Sequence, residues 1–245
     1  MTHEADGAEY DLTVRSALKV AVRHVGDERE PVLVADDVMA HPLALVDYAA
    51  REVRFQPPAP ANNFYPGVTA PAPLPYVAAL VAALRPAMER AFELADAVPA
   101  QASCNYSIVT TPPDQLATAQ RLPHVDTDDP LRFAFLHYLC DGTFGGTAFY
   151  RHRATGWESL TPERSARHEA LIAAETVHHP PSAAYICGDS PLYARTAEIE
   201  ARFDRLIVYR SRVFHSGQIV PGTPLDPDPR RGRLTANIFL TYARM

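Results

Sequence analysis

Residues 233–242 read R-L-T-A-N-I-F-L-T-Y, and the alternation in this stretch decides how the rest of the chain is read. On an extended strand Leu234, Ala236 and Ile238 share one face while Arg233, Thr235 and Asn237 share the other. The apolar face asks for a core, and the opposite face presents polar groups. Further short segments of this kind predict strands at 103–110, 131–139, 147–150, 183–187 and 206–213, with 233–243 the last of the series. Turn-rich stretches separate them, the signature of a β-sandwich or barrel. One helical interlude interrupts the run at 162–176, where T-P-E offers Thr161 as a cap and Pro162 as the first helical residue.

Before residue 100 the period changes. P-V-L-V-A-D at 31–36 predicts a strand, and 42–53 predicts a helix opened by Pro42. Between 76 and 95, Val77, Leu80, Val81, Leu84, Met88, Ala91 and Phe92 recur at spacings of three and four, which is one apolar helical face. Pro86 is expected to kink or interrupt that helix. The predicted organisation is a single domain over 1–245, with strand and helical support over 1–100 and a β core over 101–245 that carries a helical insertion near 160–180. The expected fold class is mainly β with helices, α+β.

The 47% hydrophobic and 21% charged fractions are those of an ordinary globular chain. The 23 prolines are in excess and cluster at 57–75 and 221–229, which predicts extended loops there. A net charge of −6 and a pI near 5.9 supply no broad cationic field, so nucleic acid is not an expected partner. No apolar run approaches the roughly 18 residues of a membrane span, and the polar start M-T-H-E-A-D-G-A-E-Y-D has no signal-peptide core. A cytoplasmic location without membrane association is expected. Cys104, Cys140 and Cys187 are odd in number and widely spaced, which fits neither a disulfide framework nor a zinc site. All three are expected to be buried thiols.

Chemistry concentrates in H-V-D at 124–126 and F-H-S at 214–216. His124 and Asp126 are separated by one residue, so on an extended segment both side chains point to the same side and can chelate one ion. His215 ends the β-rich run L-I-V-Y-R-S-R-V-F and is the best candidate for a distant third ligand. Two imidazoles and one carboxylate are the ligand set of a mononuclear Fe(II) centre that keeps one face open for co-substrate and oxygen. An oxygenase of that type also needs an anion site for the far carboxylate of 2-oxoglutarate. Arg233, with the Thr235 hydroxyl two residues on, can grip a carboxylate by a bidentate pair and one further hydrogen bond. Tyr138 in R-F-A-F-L-H-Y-L, facing inward with Ala134 and Leu136, is a second candidate donor.

In this order of motifs the sequence resembles the 2-oxoglutarate and Fe(II)-dependent dioxygenases, in particular their prolyl-4-hydroxylase-like branch. The residues that carry the resemblance run from H-V-D through R-F-A-F-L-H-Y-L, G-G-T-A-F and F-H-S to G-R-L-T, across roughly 103–243. The resemblance implies a double-stranded β-helix, a jelly roll of cupin-like form. It implies that His124, Asp126 and His215 hold the iron, and that Arg233, with Tyr138 and Thr235, holds 2-oxoglutarate. Arg233 follows His215 by 18 residues, against about ten in the family, so the intervening loop must bulge out, and Arg230 and Arg231 compete as anchors. More chain than the family's minimal core needs also lies between Gly146 and His215. The stretches Q-R-L-P-H-V-D, G-G-T-A-F-Y-R-H-R and G-R-L-T-A-N-I-F-L are similar to those of a group of uncharacterised bacterial proteins.

The implied reaction is hydroxylation of an unactivated C–H bond in a small molecule, amino acid or peptide, with formation of succinate and CO2. Asp126 argues against a halogenating variant, in which halide takes the carboxylate's place. Tyr150, Arg151 and Arg153, in a locally cationic stretch after the Gly-Gly turn, are candidates to meet a substrate carboxylate. Trp157 and the 162–176 helix are candidates for a lid. His178 and His179, being adjacent, make a poor chelate and read as loop residues, and His137 reads as a packed core histidine. Two rival classes stay open: a cupin-like metal enzyme without 2-oxoglutarate, in which Arg233 points away from the metal, and a non-catalytic binding sandwich, in which His124, Asp126 and His215 do not converge.

Overall fold

A computed structural model describes residues 10–58 and 65–245. In chain order the described residues form β1 (Val20–Val25), β2 (Glu30–Ala35), α1 (Leu43–Arg51), β3 (Gly67–Pro71), α2 (Leu74–Phe92), β4 (Ala97–Val109), β5 (Arg132–Tyr138) and β6 (Thr147–His152). There follow α3 (Pro162–His178), β7 (Tyr193–Ile199), β8 (Arg205–Arg210), β9 (His215–Gly217) and β10 (Leu234–Arg244). The chain is mainly β with three helices among the described residues, an α+β arrangement. Seven strands make one antiparallel sheet in the order β1-β2-β8-β5-β10-β4-β3, and three make a second in the order β7-β6-β9.

The alternation read in 233–242 sorts the molecule into layers. Leu234, Ala236, Ile238 and Leu240 are buried in a cluster with Leu45 of α1 and Leu80, Leu84 and Met88 of α2, so the helices cover the outer face of the large sheet. The other face of that sheet, through Ala134, Tyr138, Ile207 and Tyr209, packs on Phe149 and Ile199 of the small sheet. α2 runs unbroken through Pro86, with Leu84 before it and Met88 and Phe92 after it in one cluster, so burial outweighs the lost backbone bond. His137, on the outer face, is fully buried between the Tyr76 hydroxyl at 2.8 Å and Asp204 at 2.9 Å, as a core histidine pinning α2 to the sheet.

Several expectations are corrected. Residues 183–187 are not a strand: β6 is already flanked by β7 and β9, and the apolar run buries Ile186 as loop packing while the Tyr185 hydroxyl donates to the Thr111 carbonyl. The strand comes later, as β7. The proline-rich stretch 57–75 is not all loop: β3 occupies its centre as an edge strand, where Pro71 is tolerated, and α2 begins at Leu74. Its residues 59–64 lie outside the described residues, as do residues 1–9 of the polar start. Cys187 is exposed, because it sits in the loop before β7, whereas Cys104 and Cys140 are buried. The longest described helices are too short or too polar to cross a membrane.

α3 lies on the outer face of the small sheet, where Ile172 and Trp157 pack against Tyr150, Leu160, Tyr193 and Phe214. Pro162 is its first residue, but Thr161 supplies no side-chain cap, since its hydroxyl bonds the Glu163 carboxylate and lowers that group's pKa. His178 is not a loop residue but the last residue of the helix, while His179, its C-cap, already has a non-helical backbone. His168 of α3 meets the Tyr193 hydroxyl at 3.0 Å, and its ring lies 5.2 Å from that of His152, itself bonded to Glu175 at 2.8 Å. Burial and the His152 ring hold His168 down to about 4, against an ordinary value of 6.5. The unfolded chain therefore takes this proton near pH 6.5 and the folded chain only near pH 4, so stability falls as pH drops through that window. The expected result is a shallower loss of stability between pH 6.5 and 4 in His168→Gln, read from urea midpoints.

Candidate metal centre

The backbone places H-V-D against the end of β9. His124 and His215 form an antiparallel bridge, each accepting the other's N–H at 3.0 and 2.9 Å, and the Asp126 N–H donates to the Ser211 carbonyl at 2.8 Å. These bonds turn three residues ninety positions apart in sequence into one cluster. The Nε2 atoms of His124 and His215 each stand 3.8 Å from Asp126 Oδ1, the imidazole centroids are 4.4 Å apart, and the ligand-capable atoms lie within 4.8 Å of one another. Neighbouring donors in an octahedral shell of bond length about 2.1 Å are about 3 Å apart. Small ring rotations close the difference.

The chemistry of the donors fits a cation. His215 Nδ1 lies 2.9 Å from the Val213 carbonyl oxygen, which only accepts, so Nδ1 carries the hydrogen and Nε2 keeps a lone pair aimed at Asp126. Asp126 Oδ2 is buried and accepts no hydrogen bond. A buried carboxylate oxygen without a donor costs free energy unless a cation meets it. Loss of water around the inward edge of its ring, and the neighbouring His215, bring His124 down to about 4 despite Asp126, which leaves it neutral and able to ligate at pH 7. Its outer edge stays in solvent, with 55% of the side chain exposed, against 8% for His215. The open side of the cluster is therefore the His124 side.

Arg233 is buried beneath this cluster. Its Nε donates to the Phe144 carbonyl at 3.1 Å, and Nη2 donates to that of Gly146 at 3.0 Å. The Gly-Gly turn makes this seat: Gly145 has a φ of +76°, and a Cβ there or at Gly146 would overlap the carbonyl oxygen of Gln218 or of Ile199. Gly217, two residues beyond His215 on β9, would bring a Cβ to 3.7 Å from Arg233 Nη2, so the guanidinium lies along the same strand as the third ligand. Arg230 and Arg231 do not compete. Arg230 pairs with Asp47, and Arg231 with Asp226 and Asp228, and these pairs hold the long 219–232 loop outside the site.

Tyr138 and Thr235 are opposite one another on β5 and β10. The Tyr138 ring lies 5.9 Å from the Arg233 guanidinium, and its hydroxyl bonds Thr147 at 2.7 Å. Burial pushes the Tyr138 phenol up to about 12, with Arg233 and Thr147 opposing, so it is a neutral donor. Two residues without a role in the sequence reading join the site. Tyr65 lies beside Arg233 and Thr235, which temper the rise to about 12 that burial gives its phenol. Tyr209 of β8 packs edge-on to His215, with centroids 4.8 Å apart, and burial holds its phenol well above the ordinary value, with Asp126 adding to the rise and Arg233 opposing it. Tyr209 thus borders the metal-ligand cluster and lies within electrostatic reach of Arg233. Parity along β8 puts it on one face with Ile207, but the run L-I-V-Y does not by itself tell which face turns inward.

The candidate substrate residues are otherwise engaged. The Tyr150 hydroxyl accepts from Gln218 at 2.8 Å on the outer side of the small sheet. Arg151 pairs with Glu158 at 2.8 Å and Asp27 at 2.7 Å, and Arg153 with Asp189 at 2.8 Å. Trp157 lies under Arg164 and Arg167 on α3. At the start of α3 the Ser165 hydroxyl donates at 2.7 Å to Asp128, two residues beyond Asp126, and farther along the His168 ring lies 4.8 Å from that of Phe214, next to His215.

Comparison with curated protein sequences gives no match. Among solved structures the chain is similar to HygX of Streptomyces hygroscopicus, crystallised with nickel and 2-oxoglutarate bound, at 11% identity and a TM-score of 0.45 over 87% of this chain and 84% of that one. It is also similar to an N-substituted L-amino acid dioxygenase of Burkholderia ambifaria AMMD, at 10% identity and 0.37 over 89% and 83%. EctD from S. alaskensis with bound Fe gives 15% and 0.37 over 96% and 88%. Likeness at this level fixes neither activity nor ligand. A family model matches residues 16–240, nearly the whole chain, and on that match the chain belongs to DUF6445, a family of unknown function.

Proposed function

We propose that this protein is an Fe(II)- and 2-oxoglutarate-dependent oxygenase that hydroxylates a C–H bond of a small molecule, amino acid or peptide. The observation that carries the reading is the pairing of a cation-ready cluster with a buried guanidinium beside the short strand that supplies His215. His124, Asp126 and His215 converge with one imidazole lone pair fixed and one carboxylate oxygen without a donor, and the Arg233 guanidinium lies beside Gly217, two residues along β9 from His215. The two facing sheets are, on this reading, the major and minor sheets of a double-stranded β-helix, and the chain is one domain. The motif order favours the prolyl-4-hydroxylase-like branch.

His124, Asp126 and His215 would hold the iron, and Arg233 with Tyr138 and Thr235 would hold the far carboxylate of 2-oxoglutarate. Bound together, iron and 2-oxoglutarate supply oxidative C–H cleavage, one oxygen atom of O2 passing to the substrate and the other to succinate as CO2 leaves. The protein's own part is placement and exclusion of water. Val213 fixes the His215 tautomer, the Gly145-Gly146 turn aims Arg233, and the Tyr209 and Phe149 rings, 5.2 Å apart, wall the space between the sheets. Arg233 donates two of its N–H groups to backbone carbonyls and retains others for a carboxylate.

The test is succinate formation from 2-oxoglutarate by purified protein supplied with Fe(II) and ascorbate under air. Wild type is expected to turn over, and His124→Ala to fall to background while keeping its far-UV circular dichroism. Fe(II)-independent chemistry, or equal succinate from both proteins, contradicts the reading.

A further inference from the structure

We propose that Arg132 binds a carboxylate of the substrate, so that the molecules oxidised at this site are carboxylate-bearing. The inference rests on the oxygenase reading above and adds the substrate class. On β5, Arg132 has the parity of Ala134, Leu136 and Tyr138, which is the face turned toward the small sheet. Its guanidinium lies 5.2 Å from the centroid of the Phe239 ring, and Phe239 itself packs against the cluster between the sheets. Arg132 Nε is buried and has no hydrogen-bond partner, and among the described residues no carboxylate pairs with this side chain. Every other arginine considered for substrate is spent: Arg151 on Glu158 and Asp27, and Arg153 on Asp189.

Position and chemistry agree. Ala134 pairs across the sheet with Phe239 on one side and Tyr209 on the other, and Tyr209 touches His215. Arg132 is therefore two residues, or about 7 Å, along β5 from the row that abuts the metal-ligand cluster. The Tyr138–Thr235 row beside Arg233 lies about 13 Å in the opposite direction. On the sheet face that meets the small sheet, a guanidinium thus stands at each end of the β5 rows, with the row that abuts His215 between them. Arg132 is tied to the loop of Asp126 by main chain: Ser211 N–H donates to the Arg132 carbonyl at 2.9 Å, and Asp126 N–H to the Ser211 carbonyl at 2.8 Å. The guanidinium carbon sits over the Phe239 ring, which offers no acceptor lone pair, so its N–H fork, the edge that matches a carboxylate, is left for a ligand. On the same face of the sheet, Asn237 donates to Ser107 at 2.9 Å while its Oδ1 is buried without a partner, an acceptor for a substrate N–H or O–H.

The experiment is ligand-observed NMR on the full chain without added iron. The probes are benzoate, phenylacetate and a set of N-acetylated amino acids, each beside its methyl ester. At least one carboxylate should bind wild type while its ester does not, and Arg132→Gln should weaken that binding by about tenfold or more. Arg132→Lys should restore part of it, and His124→Ala should leave it in place. Thermal melts confirm that the variants fold. Binding of no carboxylate to wild type, equal binding to Arg132→Gln, or equal binding of the esters overturns the inference. A carboxylate that binds through Arg132 but elicits no Fe(II)-dependent succinate leaves the binding site standing and removes the oxygenase reading.

Discussion

Metal-free Asp126→Asn is expected to melt no lower than wild type, and saturating Fe(II) is expected to raise the melting temperature of wild type alone. The two halves come from the same atom. In the metal-free protein Asp126 Oδ2 is buried without a donor, so neutralising the side chain at constant shape removes an uncompensated charge. With the metal present that charge becomes the strongest protein ligand. A ligand at a hundred times its Kd stabilises the folded state by about 2.7 kcal/mol, or roughly 5–10 °C for a chain of this size. Losing a carboxylate–cation contact worth about 3 kcal/mol or more lowers Fe(II) affinity roughly 100-fold, which removes most of that rise. Anaerobic calorimetry of both proteins, with and without Fe(II), checks the pair of outcomes. A purely structural carboxylate gives the opposite pattern, a lower melting temperature without metal and an undiminished response to it.

Arg233→Gln is expected to raise the KM for 2-oxoglutarate about 100-fold, the loss of a charge-assisted, bidentate contact of roughly 2–3 kcal/mol. The rate constant at saturating 2-oxoglutarate should stay within about threefold, because Arg233 touches the co-substrate's far end and not the reacting atoms. Stability falls as well. The carbonyls of Phe144 and Gly146 lose a buried donor, at about 1–3 kcal/mol for each one left unsatisfied. The split between KM and kcat separates co-substrate binding from a folding defect, which scales total activity at every 2-oxoglutarate concentration. Steady-state succinate kinetics across a wide 2-oxoglutarate range measure it.

What could be read from residues alone follows the reach of local geometry. H-V-D and R-L-T-A-N fix their own side-chain directions, since parity on an extended segment settles which residues share a face. Those stretches carried the cluster and Arg233. Tyr209 was not legible in L-I-V-Y-R, because a run that is apolar on both faces hides which face turns inward until β5 and β2 are seen on either side of β8. Tyr65 was obscured by neighbouring prolines, and so was β3. Y-A-R-T-A-E-I of β7 breaks the alternation at Arg195-Thr196, where the register with β6 skips Thr196, and it passed unnoticed beside the more apolar 183–187. Arg132 stood within a stretch that was read for Tyr138. The same parity leads from Tyr138 through Leu136 and Ala134 to Arg132, but only the structure shows that, among the described residues, no acid answers its charge.

The central claim is most directly tested by a crystal grown anaerobically with Fe(II) and 2-oxoglutarate and measured on both sides of the iron absorption edge. The account predicts one anomalous peak per chain, bounded by His124, Asp126 and His215, with the far carboxylate of 2-oxoglutarate on Arg233. A fully loaded crystal with no iron peak among those three side chains, or with the peak elsewhere, would contradict it.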